Sequence, residues 1–211
     1  MTRRDTKELI LTTSLGLFND LGEPNVSTNH IADEADISPG NLYYHFRSKD
    51  DIVIELFKRF LTHFQPLTEV PEDQALEAED LWFQLHLSFE LKGQFRFLYR
   101  NLSDLTSRIP DLDRAMRGLL MRERQAATTL LSGLQRSGAL QINPQEKGML
   151  VDNILLAVTY WIPYADIFDR QGLEQGSAQV AAIARVLQML IPHLQEPTRT
   201  QFKNLTQDYL A

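Results

Sequence analysis

The 211-residue sequence contains no cysteine, which excludes disulfides, thiolate nucleophiles and cysteine-ligated zinc or iron–sulfur sites. It also lacks a long apolar run. The most apolar stretch, Ile154 to Ile162, is much shorter than the roughly 20 residues that a membrane span requires. The 28 acidic residues outnumber the 21 lysines and arginines, which gives a formal net charge of −7. The protein is therefore not expected to coat nucleic acid or membrane over its whole surface. We expect a soluble, cytoplasmic protein in which any polyanion site is small and local.

Strand patterns are missing too. No strand-length run alternates apolar and polar residues between hairpin turns, whereas apolar residues recur at helical spacing along most of the chain. The sequence therefore predicts an all-α protein. The two prolines and three acids of PLTEVPEDQ, residues 66–74, mark the best domain boundary. We predict an N-terminal domain over residues 1–65 and a C-terminal domain over residues 66–211.

The first domain is predicted to contain four short helices. Gly22 closes the first, Ser27 and Ser38 are N-caps of the second and third, and Pro39 suits the first helical position. The predicted ranges are about 5–21, 28–35, 38–46 and 48–65. Two short helices joined by a three-residue turn form a helix-turn-helix, whose second helix enters the major groove of DNA.

The side chains of the third helix are divided between core and surface. Leu42 and Phe46 share one face at i and i+4 and are predicted to be buried. The residues displaced from that face are Asn41, Tyr43, Tyr44 and His45. An asparagine amide has the geometry that pairs with adenine, and a tyrosine offers a ring to a thymine methyl and a hydroxyl to phosphate. The alternatives are that the tyrosines cover a protein interface and that the histidine is an ordinary surface imidazole.

Charge in the first domain is predicted to be segregated. Residues 1–65 hold seven cations and ten acids, yet no acid occurs from residue 38 to residue 49. The cations expected to face DNA are Arg3, Arg4, Arg47 and Lys49. Because the salt dependence of binding scales with the number of phosphates neutralised, we expect few ionic contacts and a shallow salt dependence.

Three segments between residues 7 and 57 follow one another in a specific combination: SLGLF, STNHIADEADIS and GNLYYHFRSK. Together they resemble the DNA-binding domain of the tetracycline-repressor (TetR-type) family. The resemblance implies a homodimeric, usually repressing transcription factor on a palindromic operator, with C-terminal helices that bind a small-molecule inducer. Carried over by position, it implies a DNA-binding set of Thr28, Asn29, Pro39, Gly40, Asn41, Tyr43, Tyr44, His45 and Lys49.

The sequence departs from the family pattern at several positions. Pro39 stands where a lysine is frequent and removes one phosphate contact, and Glu23 stands where an aromatic residue is common. Asp36 replaces the usual glycine of the turn. Because aspartate tolerates left-handed backbone, the turn is expected to survive.

The second domain is predicted to contain longer helices. Apolar stripes and caps place them at 78 to Gly93, 97 to 109, 112 to about 138, 144 to Ile162, and 180 to 194, with a short tail after them. Pro163 is expected to break or kink the fourth of these helices. Family architecture puts the effector pocket among these helices, and pockets are mostly apolar with a few polar groups. The candidate ligand-binding residues are Trp82, His86, Phe89, Tyr99, Met116, Tyr160 and Trp161. An aromatic stripe is also what an ordinary core contains, and His86 could equally be a core histidine bonded to Glu90.

The last two long helices are predicted to form the dimer interface, because a monomer core cannot cover both faces of both. Small side chains that would permit close packing are Ala157, Ala178, Ala181, Ala182 and Ala184. Effector binding is expected to move the fourth helix and change the spacing of the two recognition helices.

No HExxH, P-loop, GxGxxG or GxSxG occurs, so we predict neither an enzyme nor a metal or cofactor site. The alternative function is a helical small-molecule carrier or sensor that does not bind DNA.

Overall fold

The computed structural model describes residues 3–210, except for the side chains of Arg3, Arg4, Asp208 and Leu210. That part of the chain is all-α, with twelve α-helices and no strand, which confirms the predicted fold class. The expected DNA contacts of Arg3 and Arg4 lie outside the described side chains. Over the same range, no helix is both long and apolar enough to cross a membrane.

The helices, in chain order, are α1 (Arg3–Leu21), α2 (Thr28–Glu34), α3 (Pro39–His45), α4 (Lys49–Phe64), α5 (Ala78–Gln94), α6 (Arg96–Arg100), α7 (Leu102–Arg108), α8 (Pro110–Arg136), α9 (Pro144–Phe168), α10 (Arg170–Gln175), α11 (Ser177–Leu190) and α12 (Thr198–Leu210). They form two compact units. The first contains the chain up to His63 together with Phe95–Met116, and the second contains Phe64–Gln94 together with the chain from Arg117 onward. The domain boundary at residues 65 and 66 remains a prediction from the sequence.

Local capping explains where the short helices of the first unit begin and end. The Ser27 hydroxyl accepts a hydrogen bond from the His30 amide, and the Ser38 hydroxyl accepts one from the Asn41 amide, so both predicted N-caps are confirmed. Gly22 closes α1 with a φ of 82°. Asp36 has a φ of 51°, which confirms the prediction that the turn between α2 and α3 survives with aspartate in place of glycine.

The core of the first unit is built from apolar faces of its helices. Fully buried side chains include Ile10 and Phe18 of α1 and Ile31 of α2. Phe60 of α4 lies 5.9 Å from the ring of Tyr99 in α6, in an edge-to-face arrangement. The ring contact links α6 to α4, and α6 and α7 belong to the same unit as the helix-turn-helix.

The second unit confirms one predicted cap and corrects several boundaries. Asn143 and Glu146 form the predicted capping box at the start of α9. Of the two predicted outcomes at Pro163, a break or a kink, the break is wrong, because the helix continues through Pro163 to Phe168. Proline removes only one backbone donor, and the flanking Ile162 and Ala165 are buried.

Three further boundaries differ from the predicted ones. Helix α5 passes through Gly93 and ends at Gln94, and the predicted helix over 97–109 is divided into α6 and α7 at Asn101. The predicted tail is the 13-residue helix α12, which packs on α11 and buries Phe202 completely. Because α12, α9 and α5 all pack on α11, the subunit buries Ala178, Ala182 and Ala184 itself, and these alanines are not exposed for packing between subunits.

Candidate nucleic-acid interface

Helix α3 presents a buried face and an exposed aromatic face. Leu42 and Phe46 are buried in the first unit, as predicted. Tyr43 is 48% exposed and Tyr44 is 65% exposed. Both aromatic rings are therefore accessible on the surface of the subunit.

Tyr43 connects the two helices of the helix-turn-helix. Its hydroxyl shares a hydrogen bond of 2.9 Å with the hydroxyl of Thr28, the first residue of α2. Asn29, next to Thr28, is exposed. A neutral hydrogen bond on the surface is readily exchanged, so both hydroxyls can turn from each other to a phosphate oxygen.

The remaining candidates on α3 lie on the same exposed side. Tyr44 and His45 make an edge-to-face ring contact, with centroids 5.2 Å apart and an interplanar angle of 82°. His45 is half-buried, while Pro39, Gly40 and Asn41 are exposed at the start of the helix. Edge-to-face contacts of this kind are favoured by the charge distribution of aromatic rings.

Lys49 does not point to solvent as a phosphate contact would. Its ammonium donates to the carbonyl oxygen of Glu23 at 2.8 Å and lies 3.0 Å from that residue's carboxylate. Glu23 is fully buried, and the Lys49 side chain is only 22% exposed. In this structure Lys49 fixes the turn between α1 and α2, so a phosphate must compete with Glu23 for it.

Arg108 of α7 is the second cation on Glu23. Its guanidinium donates to the Glu23 carboxylate at 2.9 Å and also pairs with Asp50 at the start of α4. Burial works against its charge, but the hydrogen bond to Glu23 and the nearby carboxylates of Asp50 and Asp104 outweigh it, and the pKa of Arg108 is raised. Arg108 thus fastens α7 to the turn before α2 and to α4. Sequence analysis did not predict this contact. The acid at position 23, where an aromatic residue is common in the family, was the feature of the sequence that pointed to a cationic partner.

Two acids of the first unit, Glu8 and Glu55, form ion pairs with basic residues across α1 and α4. Lys7 donates to Glu55 at 2.8 Å, and this hydrogen bond lowers the pKa of the Glu55 carboxyl. Arg59 and Glu8 form a two-bond ion pair across the same helices. Arg47 is exposed just after α3. Of the four cations expected to face DNA, Lys49 is instead paired with Glu23 and Arg47 is exposed, so the segregation of charge stays a prediction.

The seven candidate ligand residues lie in four places. Tyr99 and Met116 are buried in the first unit, whereas the others belong to the second. The rings of Phe89 and Trp161 are in contact, with centroids 5.5 Å apart and planes tilted by 38°, and Tyr160 is half exposed on α9.

Trp82 and His86 form a cluster with Tyr209 of α12. The Trp82 indole donates to the Tyr209 hydroxyl at 2.6 Å, and His86 contacts that hydroxyl at 3.0 Å and the Trp82 carbonyl at 3.1 Å. Both ring nitrogens of His86 therefore have partners other than Glu90, and the cluster fastens α12 to α5.

A cavity lined by residues outside that set lies in the second unit, between the end of α4 and helices α5, α8 and α9. It contains Glu123, which sequence analysis placed on the apolar stripe of its helix without assigning it a role. An acidic residue on an otherwise apolar helix face indicates a buried carboxylate that requires a partner. Within the described residues, no cluster of three or more histidine and acidic side chains could hold a metal ion.

Helix α9 carries an exposed apolar face, here called the α9 face, which consists of Met149, Leu156, Tyr160, Tyr164, Ile167 and Phe168. From Met149 to Ile167 its members recur every three, four or seven residues, so they line one side of the helix. Phe168, the next residue, stacks on Tyr164. A contiguous apolar face of this kind is typical of a protein–protein interface.

Two family models match the chain. One, described as bacterial regulatory proteins of the tetR family, matches residues 10–56, and the other, described as bacterial transcriptional repressor, matches residues 59–202. The first match covers the helix-turn-helix and the first half of α4, and the second covers the end of α4 and nearly all of the chain that follows.

Individual proteins show the same similarity. A TetR-family transcriptional regulator from Marinobacter aquaeolei VT8 has 33% sequence identity and a TM-score of 0.86, over 99% of this chain and 98% of that one. The TetR family protein CprB from S. coelicolor A3(2) shares the fold, with a TM-score of 0.69 and 16% identity over 99% and 98% of the two chains. An HTH-type transcriptional regulator of Staphylococcus aureus strain USA300 is 36% identical over 74 residues, which span 32% of this chain and 40% of that protein. The match therefore covers less than half of the curated relative's own length.

Proposed function

We propose, since the chain belongs to the TetR family of bacterial transcriptional regulators, that it is a ligand-responsive repressor that acts as a homodimer on a palindromic operator. It is a helix-turn-helix regulator, and regulators of this family bind DNA, bind small-molecule effectors and form dimers. In this proposal the protein works in the cytoplasm, without a cofactor and without enzymatic activity.

The observation that carries the proposal is the exposed aromatic face of α3, with Tyr43 and Tyr44 on it and no acid between residues 38 and 49. Groups at the start of α2 position the protein on phosphates, and α3 contacts base edges and backbone in the major groove. The residues assigned to this surface are Thr28, Asn29, Pro39, Gly40, Asn41, Tyr43, Tyr44 and His45. Lys49 joins them by exchanging the Glu23 carboxylate for a phosphate.

The α9 face supports the dimer. A two-fold interface uses the same patch of both subunits, and the α9 face is apolar and self-complementary in chemistry. Two recognition helices related by a two-fold axis fit half-sites about 34 Å apart, one turn of DNA. Leu156→Lys is expected to yield a monomer in sedimentation velocity. Phe83→Lys, which changes an equally exposed apolar residue on α5, is expected to leave the dimer intact.

The test of DNA binding is fluorescence anisotropy of the full chain against the duplex upstream of its own gene, with unrelated DNA as competitor. Tight binding that survives the competitor is expected for the wild type. Tyr44→Ala is expected to weaken it by about tenfold or more, because a good base contact contributes about 1–3 kcal/mol. Phe83→Ala, the control, removes an exposed ring from the second unit and should bind as the wild type does.

A carrier that does not bind DNA would show no preference for its own upstream sequence and no effect of Tyr44→Ala. The effector part of the proposal is tested separately. We propose that ligand binding moves α4. This helix begins at Lys49 and ends at Phe64, which lines the cavity of the second unit. Equal operator affinity with and without a bound ligand would contradict this coupling.

A further inference from the structure

Glu23 is the centre of a charge cluster in the first unit. Its side chain is only 1% exposed, yet two cations reach the same oxygen, Oε1: the Lys49 ammonium at 3.0 Å and the Arg108 guanidinium at 2.9 Å. The second oxygen, Oε2, is buried and has no hydrogen-bond partner among the described residues. The charge of this buried carboxylate is therefore compensated through one oxygen, which Lys49 and Arg108 share.

The two cations differ in how firmly they are held. Arg108 also pairs with Asp50 and lies 3.6 Å from the Asp104 carboxylate, so three acids surround its guanidinium. The second contact of the Lys49 ammonium is on the same residue as the first, with the Glu23 carbonyl oxygen at 2.8 Å. A guanidinium fork between several carboxylates is fixed in place, whereas an ammonium on a flexible stem exchanges partners readily. Lys49 is therefore the cation that can leave Glu23.

Lys49 borders a surface cleft that suits a phosphate. Its side chain is 22% exposed and lines this cleft, of about 550 Å³, together with Thr28, Tyr43 and Arg47. The hydroxyls of Thr28 and Tyr43 are 2.9 Å apart. Hydroxyls and cationic side chains are the groups that contact DNA phosphates. A phosphate in the cleft therefore competes directly with Glu23 for the Lys49 ammonium.

The release of Lys49 depends on what remains on Glu23. With Arg108 in place, the carboxylate keeps one cation after Lys49 has moved to a phosphate. Without Arg108, the departure of Lys49 leaves a buried carboxylate that has no cation, which is strongly unfavourable. The arginine on α7 therefore sets how readily Lys49 is released.

We propose that Arg108 is a positioning residue for DNA binding, because it holds the Glu23 carboxylate and so releases Lys49 to a phosphate of the operator. Glu23 acts as an internal competitor of that phosphate. Withdrawal of Arg108 from Glu23 traps Lys49 and lowers operator affinity, so α7 controls a contact of the helix-turn-helix. The inference rests on the proposed function, for which it names a means of regulation.

The test is fluorescence anisotropy of the full chain on the duplex upstream of its own gene, over a series of salt concentrations. The variants are Arg108→Met, Glu23→Gln and the double variant Glu23→Gln/Arg108→Met. The control is Arg96→Met, which removes a cation that joins α6 to α1 through Asn19 and Asp20 in the same unit. The control separates a loosened contact between helices from a change in the partner of Lys49.

Arg108→Met is expected to weaken operator binding by about tenfold, as the loss of a hydrogen bond between charged groups does. Its plot of log binding constant against log salt concentration should be shallower by about 0.9 for each Lys49 that no longer reaches a phosphate. Glu23→Gln is expected to tighten binding by about fivefold, because Lys49 no longer leaves a charged partner. Adding Arg108→Met to Glu23→Gln should then change neither the affinity nor the salt dependence, and Arg96→Met should keep the salt dependence of the wild type.

An equal loss from Arg108→Met in the wild-type and Glu23→Gln backgrounds would overturn the inference, because a direct contact between Arg108 and DNA gives that result. An unchanged salt dependence in Arg108→Met, or the same change in Arg96→Met, would overturn it as well. If Arg108→Met does not fold, Glu23→Gln and the double variant still decide, since neither contains the buried carboxylate. Binding by Glu23→Gln no tighter than by the wild type would contradict the competition between Glu23 and phosphate.

Chemical labelling of Lys49 separates the two proposals, because it requires no DNA. Acetylation by an N-hydroxysuccinimide ester is followed by mass spectrometry, with Lys58, whose side chain is 67% exposed, as the internal reference. Lys49 should react about fivefold faster in Glu23→Gln than in the wild type, and more slowly in Arg108→Met. Equal reactivity in the three proteins, with operator binding intact, would overturn the inference and leave the regulator standing. The expected labelling without any operator binding would support the control of Lys49 by Arg108 and contradict the regulator.

Discussion

Replacing Lys92 by methionine tests how far the ion pair of Lys92 and Glu123, buried in the second unit, is removed from water. Methionine matches the length of the lysine stem and lacks its charge. The variant therefore leaves the carboxylate of Glu123, 9% exposed, without its cation. Breaking a buried pair on one side costs about 3–5 kcal/mol. This is a large part of a total stability of about 5–15 kcal/mol.

The loss is expected to appear in the thermal midpoint and in urea unfolding. For a chain of this size each kcal/mol shifts the midpoint by about 2–4 °C, so Lys92→Met should melt about 6–20 °C below the wild type. The double variant Lys92→Met/Glu123→Leu should recover most of this loss, because apolar groups of similar volume replace both charges. Urea unfolding followed by circular dichroism, at one protein concentration, is measured for the wild type, Lys92→Met, Glu123→Leu and the double variant. These four proteins form the double-mutant cycle.

Arg124 and Asp152 provide the matched control, since they form an ion pair at 2.8 Å in the same unit with side chains 52% and 59% exposed. Arg124→Met is expected to leave the midpoint unchanged, because both charges are solvated. A cost of Lys92→Met below about 1 kcal/mol, the value of a surface pair, would refute the burial argument. The argument would also be refuted if the double variant lost as much free energy of unfolding as Lys92→Met and Glu123→Leu lose together.

Three further predictions concern the first unit. Tyr43→Phe keeps the ring and removes the hydroxyl, so it should weaken operator binding about two- to tenfold in anisotropy without changing the fold, and an unchanged affinity would exclude a hydroxyl–phosphate contact. Arg108→Ala removes one of two cations on the buried carboxylate of Glu23 and should destabilise the protein by about 1–3 kcal/mol in urea, a discounted value because the arginine is one-third exposed. The hydrogen bond from Lys7 lowers the pKa of Glu55, so the stability from this pair is present above the ordinary glutamate range and is lost as the pH falls through the lowered pKa. Glu55→Gln should therefore differ from the wild type by less than about 1 kcal/mol at neutral pH and converge with it in acid, and a difference that grows towards acid would contradict the assigned pair.

The sequence by itself determined the features that depend on neighbours along the chain. Ser27 and Ser38 cap their helices through bonds to residues three positions later, and Asp36 takes the left-handed turn because its own side chain permits it. The exposed positions of Tyr43 and Tyr44 follow from helical periodicity once Leu42 and Phe46 are assigned to the core. Local spacing and capping carry this information, so α1 to α4 and the surface they present could be predicted.

Only the tertiary structure decided which distant groups meet. Lys92 and Glu123 are 31 positions apart, and Arg108 and Glu23 are 85 positions apart. No periodicity links such positions, because their proximity results from the packing of whole helices. The same packing turned Lys49 towards Glu23, placed α6 and α7 with the helix-turn-helix, and covered one side of α11 with α12. The charges of these residues were visible in the sequence, but their partners depend on contacts that form only when the chain folds.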